Sequence, residues 1–393
     1  GASTTYGNRI INFTDGTVNY GVFGGSNGTT GSDSGSYQGI LSGSTLIYVG
    51  GSAQVGNDSL ITNGNTLYGV ESGSVFGAGN GNSTSSRIGT VDNTNIIVDK
   101  NAVVKQNVYG GGNYGTTGIN MSSGSTTNTK IEVLGGTIEG AVYGGGNNNG
   151  SGTSNVDSNV SIEMLEGTIG NIYGGSRTKG TVYGSTTLNI LSGTIKDSVY
   201  GGGEGGYTSS SEPGTFIRDN VYLTIGNAVV GPTIEGSVYG GSAYGSVNGT
   251  TSSGSANNNI TQVTIENGII KNSVFGGGKG STRYTPKVYG NITVTVNNGN
   301  IGNVYGGNDA AGSPSNKDVV YLNNGTIGNA YGGGNKTGQT KTEIYLQGAQ
   351  VTNKLFGGSN ESGTVNTTNV YITSGTAANV YGGNNLGGKT TTD

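Results

Sequence analysis

An aromatic residue followed by a glycine and a second small residue recurs along the whole chain, and the interval between copies limits the fold more than any other feature. The aromatics are Phe23, Phe76, Tyr109, Tyr143, Tyr173, Tyr200, Tyr239, Phe275, Tyr305, Tyr331, Phe356 and Tyr381. Successive spacings are 53, 33, 34, 30, 27, 39, 36, 30, 26, 25 and 25 residues, so the unit has a floor of 25. Upstream of most copies lies a short run in which apolar and polar residues alternate. Its inward pairs are Ile131/Val133, Ile162/Met164, Leu188/Ile190, Val263/Ile265, Val294/Val296, Val320/Leu322, Ile344/Leu346 and Val370/Ile372. Ile11/Phe13 begin the first such run. Period-two alternation marks a strand with one buried face.

Five residues after the first member of most pairs stands a glycine, such as Gly136, Gly167, Gly193 or Gly325, with Ala349 in its place after Ile344. Two residues further comes another apolar residue, such as Ile138, Ile169, Ile195 or Ile327, and the aromatic follows at eleven or twelve. The distance from the aromatic to the next strand varies instead, from 13 to 24 residues. Ile96/Val98 keep the spacing loosely, Leu223/Ile225 carry inserted residues, and the copy from Ile47 to Phe76 is stretched. Each unit therefore has two fixed sides and one variable corner.

A unit of 25 residues with two or three short strands cannot bury its own apolar face. Stacking units at the inter-strand spacing lets each strand pair with its equivalent above and below, and lines a continuous core. The expected fold is all-β: a single parallel β-solenoid, or β-helix, spanning residues 1–393, with about twelve coils and insertions at one corner. Right-handed coiling is the expectation for parallel crossovers, and twelve coils make a rod about 55–60 Å long. The twelve aromatics should stack as a structural ladder, their rings turned under the variable corner. Glycines after the aromatic are expected to supply positive φ and close coil approach. Asn113, Asn147, Asn308, Asn335 and Asn384 are candidates for an amide ladder. Propeller blades, membrane barrels and helical arrays fit the unit length and composition less well.

Composition excludes several functions. The chain has 82 glycines but four prolines, no cysteine, no histidine and a net charge of −4. Disulfides, thiolate metal sites and the usual zinc ligand and general base are thereby removed. No Lys/Arg stripe offers a nucleic-acid footprint, and no apolar run reaches the ~20 residues of a membrane span. The glycine-rich runs GGGEGG and YGGGNKTG lack the Gly-x4-Gly-Lys-Ser/Thr order and following helix of a phosphate loop.

The wording G-T-I-x-x-x-V-Y-G-G-G, which covers residues 11–384, resembles repeats in large secreted surface proteins of anaerobic bacteria. More loosely, it is similar to the pectin-lyase-like β-helices of adhesin passengers. That resemblance implies an extracellular or cell-surface protein. The opening GASTTYGNR, without a starting methionine or a charged-then-apolar leader, fits a chain whose leader has been removed, or an internal segment boundary.

Candidate chemistry is sparse. Glu132 and Glu163 occupy equivalent outward slots one coil apart, a separation near that of a retaining carboxylate pair. The equivalent slots in the next coils hold Asn189 and Thr224, and two solvated acids are the simpler reading. Asp309 and Asp318, in an oxygen-rich loop, are candidates for one adventitious calcium ion; no cofactor is otherwise expected. Outward Tyr321, Tyr345 and Tyr371 form a second stripe, the candidate exposed contact. Sporadic Thr-x-Thr pairs fall short of an ice-binding lattice. The Asn-x-Ser/Thr sequons, Asn12, Asn27, Asn120, Asn291 and Asn366 among them, occur about as often as this composition supplies by chance.

No cap is recognisable at either end, and a thirteenth strand would fall due at about the last residue. Two explanations fit: the chain is a segment of a longer solenoid, or its terminal coil is continued by the next copy. The second gives the expected function, which is non-enzymatic: a rod-like subunit of a surface fibre or filament. It would join to itself head-to-tail through terminal coils, with a host surface or polysaccharide as a further candidate partner. The alternative is a carbohydrate-binding or polysaccharide-cleaving β-helix.

Overall fold

A computed structural model describes residues 4–27, 40–58, 66–67, 70–81, 89–118, 128–148, 154–206, 214–249 and 254–390. The sequon at Asn120 lies outside the described residues. Among the described residues there is no helix. The chain forms two compact units, Gly1–Thr186 and Thr187–Asp393, and each is a parallel β-solenoid.

In the first unit the strands Arg9–Phe13, Ile40–Val49, Val91–Val98, Asn128–Val133 and Asn159–Met164 pair in parallel, each with the equivalent strand of the next coil. Register follows the repeat: Ile11 faces Ile47, Ile47 faces Ile96, Ile96 faces Ile131, and Ile131 faces Ile162. The second unit repeats this with Val221–Ile225, Ile260–Ile265, Asn291–Val296, Lys317–Leu322, Gln339–Phe356 and Thr364–Tyr381. The inward pairs are essentially solvent-free except in the first and last coils, where Ile11, Phe13 and Val370 are half-buried and Ile372 is 52 % exposed.

The eleven-or-twelve spacing has a visible consequence. Where a twelve-residue side lies against an eleven-residue side, the extra residue is taken up as a bulge. The irregularities between Ile138 and Ala141, Ile270 and Ser273, and Ile327 and Ala330 mark these places. A bulge absorbs one residue without breaking the ladder on either side.

The two glycine sites have different jobs, which corrects one expectation. Positive φ belongs to the glycine five residues after the first inward residue, for example Gly136 (φ 77°) and Gly325 (φ 93°). The glycines after the aromatic do not have it; they permit contact. A Cβ on Gly144 would run into the carbonyl oxygen of Gly174 and the side chain of Val160.

Three further features were not anticipated. A strand Thr4–Tyr6 precedes Arg9–Phe13 and pairs with the start of Ile40–Val49. Thr66–Leu67 and Val70–Glu71 form a small antiparallel pair. In the second unit the variable corner carries its own parallel ladder, Thr215–Ile217, Ser246–Val247, Lys287–Val288 and Ser313–Pro314. The insertions thus extend the stack at their bases.

Candidate functional site

The repeated aromatics form columns. In the first unit Phe23, Phe76, Tyr109, Tyr143 and Tyr173 stack with centroids 4.7, 4.8, 5.0 and 4.9 Å apart and planes within 8°. In the second, Tyr200, Tyr239, Phe275, Tyr305, Tyr331, Phe356 and Tyr381 stack at 4.8, 5.0, 4.5, 4.6, 5.2 and 4.8 Å. The spacing is that of parallel strands. It exceeds the ~3.5–4.0 Å of atoms in contact, so parallel rings must meet by sliding over one another, the offset arrangement aromatic pairs prefer.

The hydroxyls show which way the rings lean. Arg177 Nη1 donates to Tyr109 Oη, two coils back, at 3.2 Å. Tyr239 Oη donates to Asp309 Oδ2 at 3.2 Å, and Asn360 Nδ2 donates to Tyr305 Oη at 3.4 Å, again across two coils. Arg177, Asp309 and Asn360 each stand four residues after their own coil's aromatic. This row closes over the column, and burial raises the hydroxyl pKa values of Tyr200, Tyr239, Tyr305 and Tyr331.

The same row carries the asparagine ladder. Asn80 donates to Asn27, Asn113 to Asn80, and Asn147 to Asn113, at 2.8, 2.8 and 3.0 Å. In the second unit Asn385 donates to Asn360, Asn360 to Asn335, and Asn335 to the Asp309 carboxylate, at 2.8, 2.9 and 2.9 Å. The expectation for Asn113, Asn147 and Asn335 therefore stands, whereas Asn308 and Asn384 belong one residue earlier. Their Oδ1 atoms accept backbone N–H groups of the preceding coil, from Gly278 and Ser359.

A buried threonine row, which the alternation did not reveal, lies two residues before the first inward residue. Thr45, Thr94 and Thr342 donate to the carbonyls of Gly77, Gly110 and Gly357 at 2.6, 2.7 and 2.6 Å. Each ties the strand of a coil to the glycine following its own aromatic.

The remaining candidates separate. Glu132 and Glu163 are register partners, and Lys130 Nζ lies 2.8 Å from Glu132 Oε1. Lys130 reaches the pair from two residues earlier on the same face, a basic neighbour outside the equivalent slots of successive coils. Asp309 and Asp318 are not assembled together: Asp309 is spent on Tyr239 and Asn335, and Asp318 lies in the interior row. Among the described residues no group of three or more acids forms a metal cluster.

Tyr321, Tyr345 and Tyr371 stack at 4.9 and 4.6 Å. They continue an outward row that begins with Thr224, Thr264 and Thr295. Tyr321 and Tyr345 are half-buried and Tyr371 is 42 % exposed. Because the rings cover one another's faces, they offer outward edges and hydroxyls rather than open π-faces. Beside them Glu343 is held between Lys317 and Lys341 at 3.1 and 2.8 Å. The bond from Lys341 and the charge of Lys317 lower its pKa despite its burial.

Fold and side-chain ladders together define a parallel β-solenoid repeat protein. The chain matches no family model, no curated protein and no solved structure. Among the described residues no helix is long and apolar enough to cross a membrane.

Proposed function

We propose that the chain is a non-catalytic structural element, a β-solenoid segment of an extracellular surface fibre that grows by adding coils in register. One observation carries this reading. The positions that recur in the repeat are consumed in contacts between coils: inward aliphatics, the aromatic column, the asparagine ladder and the tip glycines. A chain whose recurring residues are all spent on its own stack is built for length and stiffness, and ligand contacts fall to the variable corner and outer rows.

Exposure on the coil Thr364–Tyr381 supports this reading. Ile372, Val380 and Tyr381 are 52, 42 and 44 % exposed, and a further parallel coil buries all three, whichever polypeptide supplies it. In the fibre reading a second copy supplies it, by β-augmentation in a heterologous arrangement that closes no ring. The surface location rests on the resemblance of the repeat to secreted proteins of anaerobic bacteria and on a composition without cysteine. Negative-stain imaging of the purified chain over a concentration series tests the proposal. Unbranched filaments that lengthen with concentration support it; isolated short particles at every concentration refute it.

A carbohydrate-directed role is favoured by the registered pair Glu132/Glu163 with Lys130 beside it. Retention on a polysaccharide matrix that is lost in Glu132→Gln/Glu163→Gln would support that role over the purely structural one.

A further inference from the structure

The interior threonine row is interrupted by apolar residues at Val160, Val221 and Ile292 and by an acid at Asp318. Asp318 pairs in register with Ile292 on one side and Thr342 on the other, and it is fully buried. Neither carboxyl oxygen has a hydrogen-bond partner. In the next coil Thr342 uses its hydroxyl proton to satisfy the carbonyl of Gly357, which follows Phe356. Tyr331 is the register partner of Phe356, so the carbonyl equivalent to that of Gly357 is the carbonyl of Gly332. A carboxylate taking the place of the Thr342 hydroxyl would oppose this carbonyl acceptor to acceptor, and an unpaired buried charge is among the costliest groups a core can hold.

We propose that Asp318 is kept in the interior as a neutral carboxylic acid whose proton bridges to the Gly332 carbonyl, and that loss of this proton loosens the coil Lys317–Tyr331. The groups that face Asp318 do not ionise. Ile292 and Thr342 are its strand partners, and Gly307 and Gln339 border it at the corner. The charged neighbours Lys317, Lys341 and Glu343 satisfy one another, and Asp309 is bonded to Tyr239 and Asn335. No cation is therefore committed to Asp318, and desolvation holds its carboxyl well above the usual carboxylate range.

The sign follows from linkage. An acid whose folded pKa is raised keeps its proton when the opened chain has lost it, so its stabilising effect is complete below the opened-state pKa. It then declines as pH rises toward the folded pKa. The decline is about tenfold in the opening equilibrium per pH unit over that window. Glu343, whose pKa is lowered, acts in the opposite sense, so the test is a comparison with a variant rather than a single profile.

The experiment is hydrogen exchange read by mass spectrometry on the whole chain and on Asp318→Asn, from pH 5 to pH 8, corrected for intrinsic exchange. Asparagine keeps the shape and donates an N–H to the same carbonyl without titrating. The parent chain should lose protection in Lys317–Leu322 and Gly332–Gly333 by about tenfold per unit, while Asp318→Asn holds it. Asp318→Thr, which restores the side chain of the row, should behave like Asp318→Asn if the amide packs poorly. Infrared difference spectra should show a protonated carboxyl stretch at pH 6 that Asp318→Asn lacks. Equal pH slopes in the parent and both variants, or absence of that stretch, would overturn the proposal.

Discussion

Tyr305→Ala should open a local fault in the stack. The Tyr305 ring lies 4.5 Å from Phe275 and 4.6 Å from Tyr331, is 5 % exposed, and its hydroxyl accepts from Asn360. Deleting a buried aromatic to alanine costs about 3–5 kcal/mol. Tyr305→Leu retains most of the bulk and forfeits the two ring contacts, at about 0.5–1.5 kcal/mol each, or roughly 1–3 kcal/mol together. Tyr371→Ala, by contrast, removes a 42 % exposed ring that stacks on Tyr345, and should cost less than about 1 kcal/mol. Because repeat stability is a sum of nearest-neighbour terms, the loss should concentrate in the coils of Phe275, Tyr305 and Tyr331. Segment-resolved hydrogen exchange reads both its size and its place. If Tyr305→Ala costs no more than Tyr371→Ala, the column is not what holds the coils together and the reasoning fails.

Other substitutions test separate parts of the account. Gly144→Ala forces a Cβ into Gly174 and Val160 and should cost about 1–3 kcal/mol. Gly16→Ala has open space but a φ of 89° and should cost about 1–2 kcal/mol from backbone strain alone; chemical denaturation followed by circular dichroism compares them. Thr342→Val keeps shape but orphans the Gly357 carbonyl, for about 1–3 kcal/mol, seen as faster exchange around Gly357. Glu343 has a lowered pKa set first by Lys341, so its contribution is present above the unfolded value and is lost as pH falls through the folded value. Glu343→Gln should therefore flatten the acid limb of a thermal-melting profile while lowering stability at neutral pH.

The architecture was readable because stacking converts a sequence interval into a contact. Ile131 and Ile162, 31 residues apart, become register partners, and the same arithmetic placed all twelve aromatics in columns. What escaped did so for local reasons. The threonine row is buried through hydroxyl-to-carbonyl bonds, and a pattern based on apolar residues passes over it. The asparagine ladder was set one residue off at Asn308 and Asn384 because adjacent polar positions there are chemically alike and only the turn decides which side chain faces its neighbour. Corner strands of two or three residues, such as Lys287–Val288, are too short to show a period. Lys130 shares the outer face with Glu132 by alternation, but a comparison restricted to equivalent slots of successive coils passes over a partner two residues away on the same strand.

Direct superposition of successive coils can be measured in a chain with no native cysteine. Thr264 and Thr295 are register partners on the outer face, and Thr295 in turn partners Tyr321. Adjacent parallel strands lie about 4.8 Å apart, within the Cα separation a disulfide accepts, and two coils exceed it. In dilute solution under mild oxidation, Thr264→Cys/Thr295→Cys should close an intramolecular disulfide readily and Thr264→Cys/Tyr321→Cys should not. Failure of the first pair, or equal closure of both, would contradict the stacked-coil fold.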